Sequence, residues 1–338
     1  MFAICFHTSE KLENICHKVF QIKTYSENKI INLLYSIDPL CKKSILIGSF
    51  FSEKLKNNMI ISKRKNLSNS FKSIEKINNQ EKFFETLKKI NINYPQWQKT
   101  PPKEFKNWIV KNSQSIGGIS IKKYEKTLEI GKIKKNIYFQ KIVEGKVMSA
   151  QFYVSSNKII LLSTCLQWLD PSKDYPFLLG GLITQKMTKK LINKITDTIK
   201  KISLAFDLNG LNSIDFIISK SNKLIILEIN ARPGLSINLL SKIYKENLFS
   251  TKLKYTEPKS FFASSIIYSK KKFIFSNKIK HQFNKIKYFQ NISEVPTKNK
   301  VINNNDPICL IHGQSNTENE TKKIIKELSK KVLSYTNS

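Results

Sequence analysis

The spacing of apolar residues predicts alternating strands and helices over the first 95 positions. Residues 44–51, "SILIGSFF", are a short apolar run of the kind that forms a buried strand, here ending at Gly48. Residues 80–90, "QEKFFETLKKI", repeat apolar side chains at helical spacing, which places on one face Phe83, Phe84, Leu87 and Ile90. The pattern predicts a small α/β domain over residues 1–95, bounded by the three prolines of "NYPQWQKTPPKEF".

Strand patterns dominate the next part of the chain, residues 96–260, which we expect to be a second domain. Four β-prone segments are separated by turn residues: "WIVKNSQSIGGISI", "IYFQKIVEG", "SAQFYVSS" and "KIILLST". A helix with one apolar stripe follows, formed by Leu191, Ile195, Ile199, Ile202 and Phe206. Two short strands in a hairpin arrangement come next.

The remaining residues, 261–338, are predicted to form an α+β region that ends in a long helix. Thr317 and Glu320 have the spacing of a capping box at the start of that helix. Its expected apolar face consists of Ile324, Leu328, Val332 and Tyr335. Taken together, the patterns predict a chain of the α/β (α+β) class.

Composition narrows the class of protein. The chain has 338 residues, of which 40% are hydrophobic, so it can bury the cores of two or three compact units. No stretch approaches the roughly 18 apolar residues of a membrane span, and the first residues lack the charged region of a signal peptide. The five cysteines are scattered, which favours free thiols over disulfides or a zinc site. We therefore expect a cytoplasmic protein without a membrane partner.

The formal charge of +33 raises the alternative of a nucleic-acid-binding protein. The lysines are spread over the whole chain, however, and only Arg64 and Arg232 are arginines. Specific nucleic-acid sites usually use the planar fork of arginine, so a solvated lysine-rich surface is the favoured interpretation. Nucleic acid is not an expected partner, although this alternative stays open.

Two strands around residue 220 bring acidic residues together. "SIDFIIS" and "LIILEIN" are separated by "KSNK", and a turn centred on Ser221 and Asn222 would place Asp215 directly opposite Glu228. The Cβ atoms of such a pair lie about 4.5 to 5.5 Å apart. Asn230 and Arg232 continue along the same face, because alternate side chains of a strand leave the same side.

Two carboxylates this close raise each other's pKa unless a cation lies between them. Asp215, Glu228 and Asn230 offer the hard oxygen ligands that Mg²⁺ prefers. The alternative is a solvated hairpin face on which the two acids only pair with nearby lysines. Both interpretations stay open at this point.

The hairpin resembles a known family. "SIDFII" followed by "LEINARPG" is similar to the metal-binding end of ATP-grasp ligases, where an acidic residue and a Glu-x-Asn-x-Arg/Pro segment hold the Mg²⁺ ions of ATP. The pattern Glu144-Gly145…Ser149 and the pair Gly180-Gly181 resemble a poorly characterised branch related to biotin carboxylase and the carbamoyl-phosphate synthase large subunit. The resemblance implies an ATP-grasp fold preceded by an N-terminal Rossmann-like domain.

The resemblance also implies the residues that bind the nucleotide. "WIVKNSQSIGGISI" is similar to the family's phosphate lysine and glycine-rich lid, which would put Lys111 on the ATP phosphates beneath Ser115, Gly117 and Gly118. "YFQKIVEG" is similar to the hinge that receives adenine, with contacts implied for Gln140, Lys141, Val143 and Glu144. The lid has fewer glycines than is usual in the family, and Gln140 stands where glutamate is common.

If the resemblance holds, the activity is Mg²⁺-ATP-dependent ligation of a small-molecule carboxylate to an amine or another nucleophile through an acylphosphate, in cofactor or one-carbon metabolism. Lys111 and Arg232 would be the catalytic cations, with Arg232 holding the substrate carboxylate or the acylphosphate oxygens. The reduced lid motivates a second hypothesis, a non-catalytic ATP-binding scaffold. The sequence names neither substrate, and it leaves open whether the protein forms a homodimer.

Overall fold

The computed structural model describes residues 1–5, 8, 10–22, 24–46, 55, 57–104, 106–113, 117–125, 136–155, 158–244, 254–287 and 291–336. The chain divides into two compact units. The first contains Met1–Ile45, Phe50–Lys65 and Lys259–Ser338, and the second contains Leu46–Ser49 and Asn66–Pro258. The domain boundaries near residues 95 and 260 stay predictions, and most of the strand expected over residues 44–51 lies outside the described residues.

The first unit opens with two parallel strands, β1 (Phe2–Cys5) and β2 (Lys18–Gln21). Parallel strands need a crossover connection, which here contains helix α1 (Glu10–Ile15). Helices α2 (Glu27–Ile37) and α3 (Met59–Ser62) follow. The Rossmann-like character of this region stays a prediction.

Arg64 fastens the ends of these two helices together. Its side chain is buried and donates hydrogen bonds to the carbonyls of Ile60 (2.8 Å) and Asp38 (2.7 Å) while pairing with the Asp38 carboxylate. The backbone N–H of Lys43 also donates to that carboxylate at 2.8 Å. This bond and the Arg64 guanidinium hold the pKa of Asp38 below its ordinary value, against the opposing effect of burial. One of the two arginines of the chain therefore has a structural role.

The second unit starts with helices α4 (Phe71–Asn78) and α5 (Gln80–Lys89). Asn79 lies between them and accepts a hydrogen bond from the Lys82 N–H at 3.0 Å, which is why α5 begins there. The helix predicted over residues 80–90 is confirmed. Phe83, Phe84 and Leu87 are buried as expected, whereas Ile90 follows the helix and is half-buried.

Two antiparallel sheets complete the second unit. The smaller has the strand order β3-β6-β4-β5, formed by β3 (Trp97–Gln98), β4 (Trp108–Asn112), β5 (Lys122–Lys123) and β6 (Ile137–Lys141). The larger runs in the order β11-β10-β7-β8-β9, from β7 (Lys146–Ser155), β8 (Lys158–Leu169), β9 (Leu179–Thr184), β10 (Gly210–Ile218) and β11 (Leu224–Asn230).

Two further helices of the second unit come before and after the β10–β11 hairpin in sequence. Helix α6 (Lys189–Ala205) buries the predicted residues Ile195, Ile199 and Ile202, while Leu191 is half-buried. Helix α7 (Ile237–Ile243) follows β11 directly and buries Leu240.

The last part of the chain returns to the first unit. It contains β12 (Phe261–Tyr268), β13 (Phe273–Ile274), helix α8 (Asn277–Asn284), β14 (Ile292–Ser293), β15 (Val301–Ile302), β16 (Pro307–Ser315) and helix α9 (Glu318–Thr336). Strand β16 pairs antiparallel with both β12 and β14. Within the described ranges, no helix is both long enough and apolar enough to cross a membrane.

The buried face of α9 shares only Leu328 and Val332 with the predicted face. Thr317 accepts a hydrogen bond from the Glu320 N–H at 3.2 Å, as the capping box implies. The buried residues are Thr321, Ile325, Leu328, Val332 and Thr336, and the predicted Ile324 and Tyr335 are only half-buried. Both threonines can be buried because their hydroxyls donate to helix carbonyls, Thr321 to Thr317 at 2.8 Å and Thr336 to Val332 at 3.3 Å.

Candidate active site

The hairpin of β10 and β11 places Asp215 directly opposite Glu228, which confirms the predicted pairing. The turn was predicted one position wrong, because the Ser219 N–H donates to the Lys223 carbonyl at 3.1 Å and the chain reverses around Ser221. That turn alone would shift the two strands by one residue. A bulge on β11 at Leu227 restores the predicted register before the two acids meet.

The Asp215 carboxylate is held by amide groups on both sides. Gln167 Nε2 donates to Asp215 Oδ1 at 2.8 Å, and Asn230 Nδ2 donates to Asp215 Oδ2 at 3.2 Å. The same Nδ2 atom lies 3.3 Å from Glu228 Oε1, so the Asn230 amide bridges the two acids. Asp215 is half-buried, whereas the Glu228 side chain is 48% exposed, which leaves the pair open on one side.

The pKa values of the two acids are shifted in opposite directions. Burial raises the pKa of Asp215 well above its ordinary value, and the neighbouring Glu228 carboxylate raises it further. Burial acts in the same direction on Glu228, but Lys111, the hydrogen bond with Asp215 and the Asn230 amide outweigh it and lower the pKa of Glu228. The two carboxylates therefore titrate as a pair, in which Asp215 holds its proton to a higher pH than Glu228 does.

Lys111 reaches this pair from the smaller sheet. It lies on β4 opposite Tyr138 of β6, is 7% exposed, and its Nζ atom is 3.9 Å from Glu228 Oε2. Burial alone would lower the pKa of Lys111, but its hydrogen bond with Tyr138 and the charge of Glu228 raise the pKa above the ordinary value. Lys111 is thus a buried, permanently protonated cation beside the acids.

Asn230 and Arg232 continue the row as the sequence predicts. Arg232 Nη2 donates to Asn230 Oδ1 at 3.3 Å, and Nη1 donates to the Pro233 carbonyl at 3.4 Å. The Asn230 amide therefore points its nitrogen at the acids and its oxygen at the arginine, the orientation that hydrogen bonding favours without a cation. Ligation of a metal through Oδ1 would require the amide to turn by about 180°.

The row belongs to a polar face of the larger sheet. Asp215, Ser149 and Cys165 lie side by side on three adjacent strands, and Ser213, Gln151 and Ser163 form the next row. Gln151 Nε2 donates to Ser149 Oγ at 2.9 Å, and Gln151 Oε1 accepts from Cys165 Sγ at 3.4 Å and from Ser163. Burial raises the pKa of the Cys165 thiol to about 12, so it is an inert hydrogen-bond donor rather than a nucleophile.

Three residues of this face were missed by the sequence analysis: Gln151, Ser163 and Gln167. The signal was present, because polar side chains recur at every second position of "SAQ" and "STCLQ". The same alternation revealed Glu228 and Asn230. A strand whose polar side chains line a buried functional face shows this alternation. A bulge such as the one at Leu162 interrupts the alternation locally.

Pro233 and Gly234 end the row by turning the chain into α7. Leu240 and Tyr244 then pack on Ile160, Leu162 and Leu211, which cover the apolar end of the same sheet face. A cavity of about 10 Å³ remains between Gln151, Arg232 and the start of α7, enough for no more than a single water molecule. The open approach to the site is therefore on the side of Glu228.

The two lid glycines adopt the left-handed backbone conformation, with φ values of +67° for Gly117 and +80° for Gly118. A Cβ atom on Gly118 would overlap the Phe177 carbonyl, whereas a Cβ on Gly117 would meet open space. The Leu179 N–H donates to the Gly117 carbonyl at 3.1 Å, so the segment is held against the start of β9. Ser115 lies outside the described residues.

The predicted hinge residues begin in the last two positions of β6 and continue beyond it. Gln140 is 4% exposed, and its Oε1 atom has no hydrogen-bond partner within the part of the chain that the structure describes. Val143 is half-buried, Lys141 is exposed, and its N–H donates to the Gln96 carbonyl at 2.9 Å. Glu144 is exposed and pairs with Lys220 at 3.0 Å.

The structure thus brings together five of the predicted residues by direct contacts: Lys111, Asp215, Glu228, Asn230 and Arg232. Across the described ranges, no three His, Cys, Asp or Glu side chains gather as a metal cluster. The best candidate for a cation site is consequently the Asp215–Glu228 pair completed by the Asn230 amide.

Comparison with known proteins gives relatives in both sequence and structure. An uncharacterized protein of Methanocaldococcus jannaschii is 25% identical over 90% of this chain and 78% of its own length. The carbamoyl phosphate synthase large chain of Caldanaerobacter subterraneus subsp. tengcongensis is 26% identical over 59% of this chain, but the match spans only 20% of that protein.

Two solved structures have a similar fold. N5-carboxyaminoimidazole synthetase from Staphylococcus aureus, complexed with ADP, has a TM-score of 0.73 at 14% identity and covers 97% of this chain and 90% of its own. L-amino acid ligase from Bacillus licheniformis has a TM-score of 0.72 at 13% identity, and the match covers 98% of this chain and 97% of the ligase chain. The family model of the ATP-grasp domain matches residues 77–236, which include the whole candidate site. Residues 77–236 of this chain are therefore an ATP-grasp domain.

Proposed function

We propose that this protein is a Mg²⁺- and ATP-dependent ligase that activates a carboxylate as an acylphosphate and joins it to an amine or another nucleophile. The observation that carries the proposal is the meeting of Lys111 with the opposed acids Asp215 and Glu228 inside an ATP-grasp domain. Directly opposed carboxylates destabilise a sheet, so a structural role alone gives no reason for their pairing.

The donor set fits a magnesium ion. Asp215 and Glu228 supply two carboxylates, and Asn230, whose amide nitrogen lies within hydrogen-bonding distance of both, would add its amide oxygen once the amide turns. The raised pKa of Asp215 agrees with this assignment, because the neighbouring Glu228 carboxylate contributes to the rise and a cation beside the pair would oppose it. When bound, Mg²⁺ would neutralise charge on the ATP phosphates during phosphoryl transfer.

The two cations take separate roles in this proposal. Lys111 is buried and stays protonated, so it presents a fixed positive charge to the phosphates beside Glu228. Arg232 makes two long hydrogen bonds, to Asn230 and Pro233, and a guanidinium has more N–H donors than these contacts use. Its planar fork suits the substrate carboxylate or the acylphosphate oxygens.

Gln140 supports the assignment of the hinge to adenine. Its buried Oε1 atom is an acceptor without a partner in the described residues, and a buried acceptor of this kind is costly unless a ligand satisfies it. The exocyclic amino group of adenine is a suitable donor. In the same proposal Lys141, Val143 and Glu144 flank the base, and Gly117 and Gly118, with Ser115, cover the phosphates.

The proposal names the chemical class of the substrates and not individual compounds. The Staphylococcus aureus and Bacillus licheniformis proteins are a synthetase and a ligase by name, but identities of 13 and 14% carry the fold alone. We infer a small-molecule acid and an amine as partners, in cofactor or one-carbon metabolism, in preference to nucleic acid or a membrane. A cytoplasmic location and a homodimer belong to the same proposal.

An ADP-release screen tests the activity. Purified protein is incubated with Mg²⁺-ATP and a matrix of acids and amines, with the Asp215→Asn variant in parallel. The expected result is ADP release that requires both an acid and an amine and is absent in the variant. ATP binding without ADP release across the matrix would instead support the scaffold hypothesis, which the small number of lid glycines motivates.

A further inference from the structure

Gln167 is one of the side chains that hold the Asp215 carboxylate. It lies on β8 two positions beyond Cys165, and Cys165 is aligned through Ser149 with Asp215. The Gln167 side chain therefore leaves the same face of the sheet and reaches across Ser149 to Asp215. Its Nε2 atom donates to Asp215 Oδ1 at 2.8 Å, and the Ser149 hydroxyl also donates to that carboxylate.

The Gln167 bond helps to set the orientation of the Asp215 carboxylate. The terminal torsion of an aspartate side chain has broad energy wells, so its neighbours must set its orientation. With Oδ1 held by Gln167, the other oxygen, Oδ2, is directed toward Asn230 Nδ2, the group that also contacts Glu228. That oxygen would become available to a cation when the Asn230 amide turns.

Glutamine suits this position for an electrostatic reason. A neutral amide donor orients a carboxylate without adding a charge that would compete with a cation for the pair. A lysine would neutralise Asp215, and a glutamate would add a third acid. Carboxylates that bind metals are usually held by such outer hydrogen bonds, whose loss typically weakens metal binding by about 10- to 100-fold.

We propose that Gln167 is a positioning residue that sets the affinity of the Asp215–Glu228 pair for a divalent cation. The inference rests on the proposed function, since it assumes that the pair binds a cation together with ATP. Gln167 acts through Asp215 and is not a catalytic residue. Nothing in the ATP-grasp match itself assigns it this role.

The test measures Mn²⁺ binding, by its electron paramagnetic resonance signal, in the presence of a non-hydrolysable ATP analogue. Gln167→Met keeps the length of the side chain and removes the donor. We expect its Mn²⁺ dissociation constant to rise about tenfold, while binding of the analogue without divalent cation is unchanged. Gln98→Met is the matched control, because the Gln98 amide donates to the Thr100 carbonyl in the smaller sheet, and it should bind Mn²⁺ as the wild type does.

A double-mutant cycle separates positioning from a loss of folding. In an Asp215→Asn background, Gln167→Met should cause no further loss of Mn²⁺ affinity, because the carboxylate that it orients is gone. Thermal unfolding of each variant verifies that it is folded. An equal tenfold loss in both backgrounds would overturn the inference.

The outcomes also separate this inference from the proposed function. If the wild type binds Mn²⁺ with the analogue and Gln167→Met binds it equally well, Gln167 has no positioning role and the ligase proposal stands. If the wild type binds neither Mn²⁺ nor the analogue, both proposals are wrong.

Discussion

Asn230 turns its amide nitrogen, not its oxygen, toward Glu228, with Nδ2 3.3 Å from Oε1. The amide thus occupies the place of a cation between two acids, and Asn230→Asp replaces that donor with a third carboxylate. We expect the variant to be less stable than the wild type by about 1 to 3 kcal/mol without divalent cation. Added Mg²⁺ should stabilise it more than it stabilises the wild type, as measured by thermal unfolding.

Asn222→Asp is the matched control for that variant. Asn222 lies in the exposed turn of the same hairpin with φ +57°, a conformation that aspartate also tolerates. It should respond to Mg²⁺ as the wild type does. Equal Mg²⁺ responses in Asn230→Asp and Asn222→Asp would contradict the proximity of Asn230 to a cation site.

Tyr138→Phe tests how Lys111 is held. The variant keeps the ring, whose centroid is 5.9 Å from the Lys111 ammonium, and removes the hydroxyl that accepts its hydrogen bond. We expect a loss of stability of about 1 kcal/mol and weaker ATP binding, because the buried ammonium loses a partner. Isothermal titration with ATP measures the effect. Unchanged ATP affinity in a folded variant would show that Tyr138 does not position Lys111 for the phosphates.

The two lid glycines make a matched pair. Both have positive φ, so an alanine at either costs about 1 to 2 kcal/mol in backbone strain. Gly118→Ala should cost more than Gly117→Ala, because only its Cβ overlaps the Phe177 carbonyl. Chemical unfolding of both variants measures the difference. Equal losses would mean that the segment does not pack against Phe177.

Asp38 gives a pH dependence unrelated to the active site. Its pKa in the folded protein is lowered, chiefly by the Lys43 N–H and also by Arg64, below an unfolded value of about 3.9. Its stabilising contribution is therefore complete above about pH 4 and is lost as the pH falls through the lower folded pKa. Asp38→Asn should be less stable than the wild type at about pH 7, with the difference shrinking below about pH 4.

Urea unfolding at several pH values tests this expectation. Asp197→Asn, at a side chain that is 70% exposed, is the control and should show no such change of the difference with pH. A difference between wild type and Asp38→Asn that stays constant down to about pH 2.5 would contradict a lowered pKa of Asp38.

The part of the site that lies along one strand could be predicted from the alternation of side chains in the sequence. Glu228, Asn230 and Arg232 follow from the period of a strand, and their pairing with Asp215 follows from a short turn. The turn itself was placed wrongly, and the bulge at Leu227 corrected the error, because bulges depend on packing that one hairpin does not reveal. The pairing was right for a partly wrong reason.

Contacts between distant strands were beyond the sequence. Gln167 and Tyr138 contact the site across neighbouring strands, and no local pattern says which strands become neighbours. Helix α9 shows a similar limit, since Thr321 and Thr336 are polar by type yet satisfy their hydroxyls within the helix and are buried. The structural role of Arg64 likewise depends on contacts with Asp38, 26 residues earlier.

The most direct measurement of the central claim is the melting temperature with and without millimolar Mg²⁺-ATP, for the wild type and for Asp215→Asn and Glu228→Gln. Ligand at about 100 times its dissociation constant stabilises the folded state by about 2.7 kcal/mol. We predict a clear rise in the wild type and a much smaller rise in both variants, because each variant lacks one of the two carboxylates proposed to hold the cation. An equal rise in all three proteins, or none in the wild type, would contradict the claim that these two acids bind a cation together with ATP.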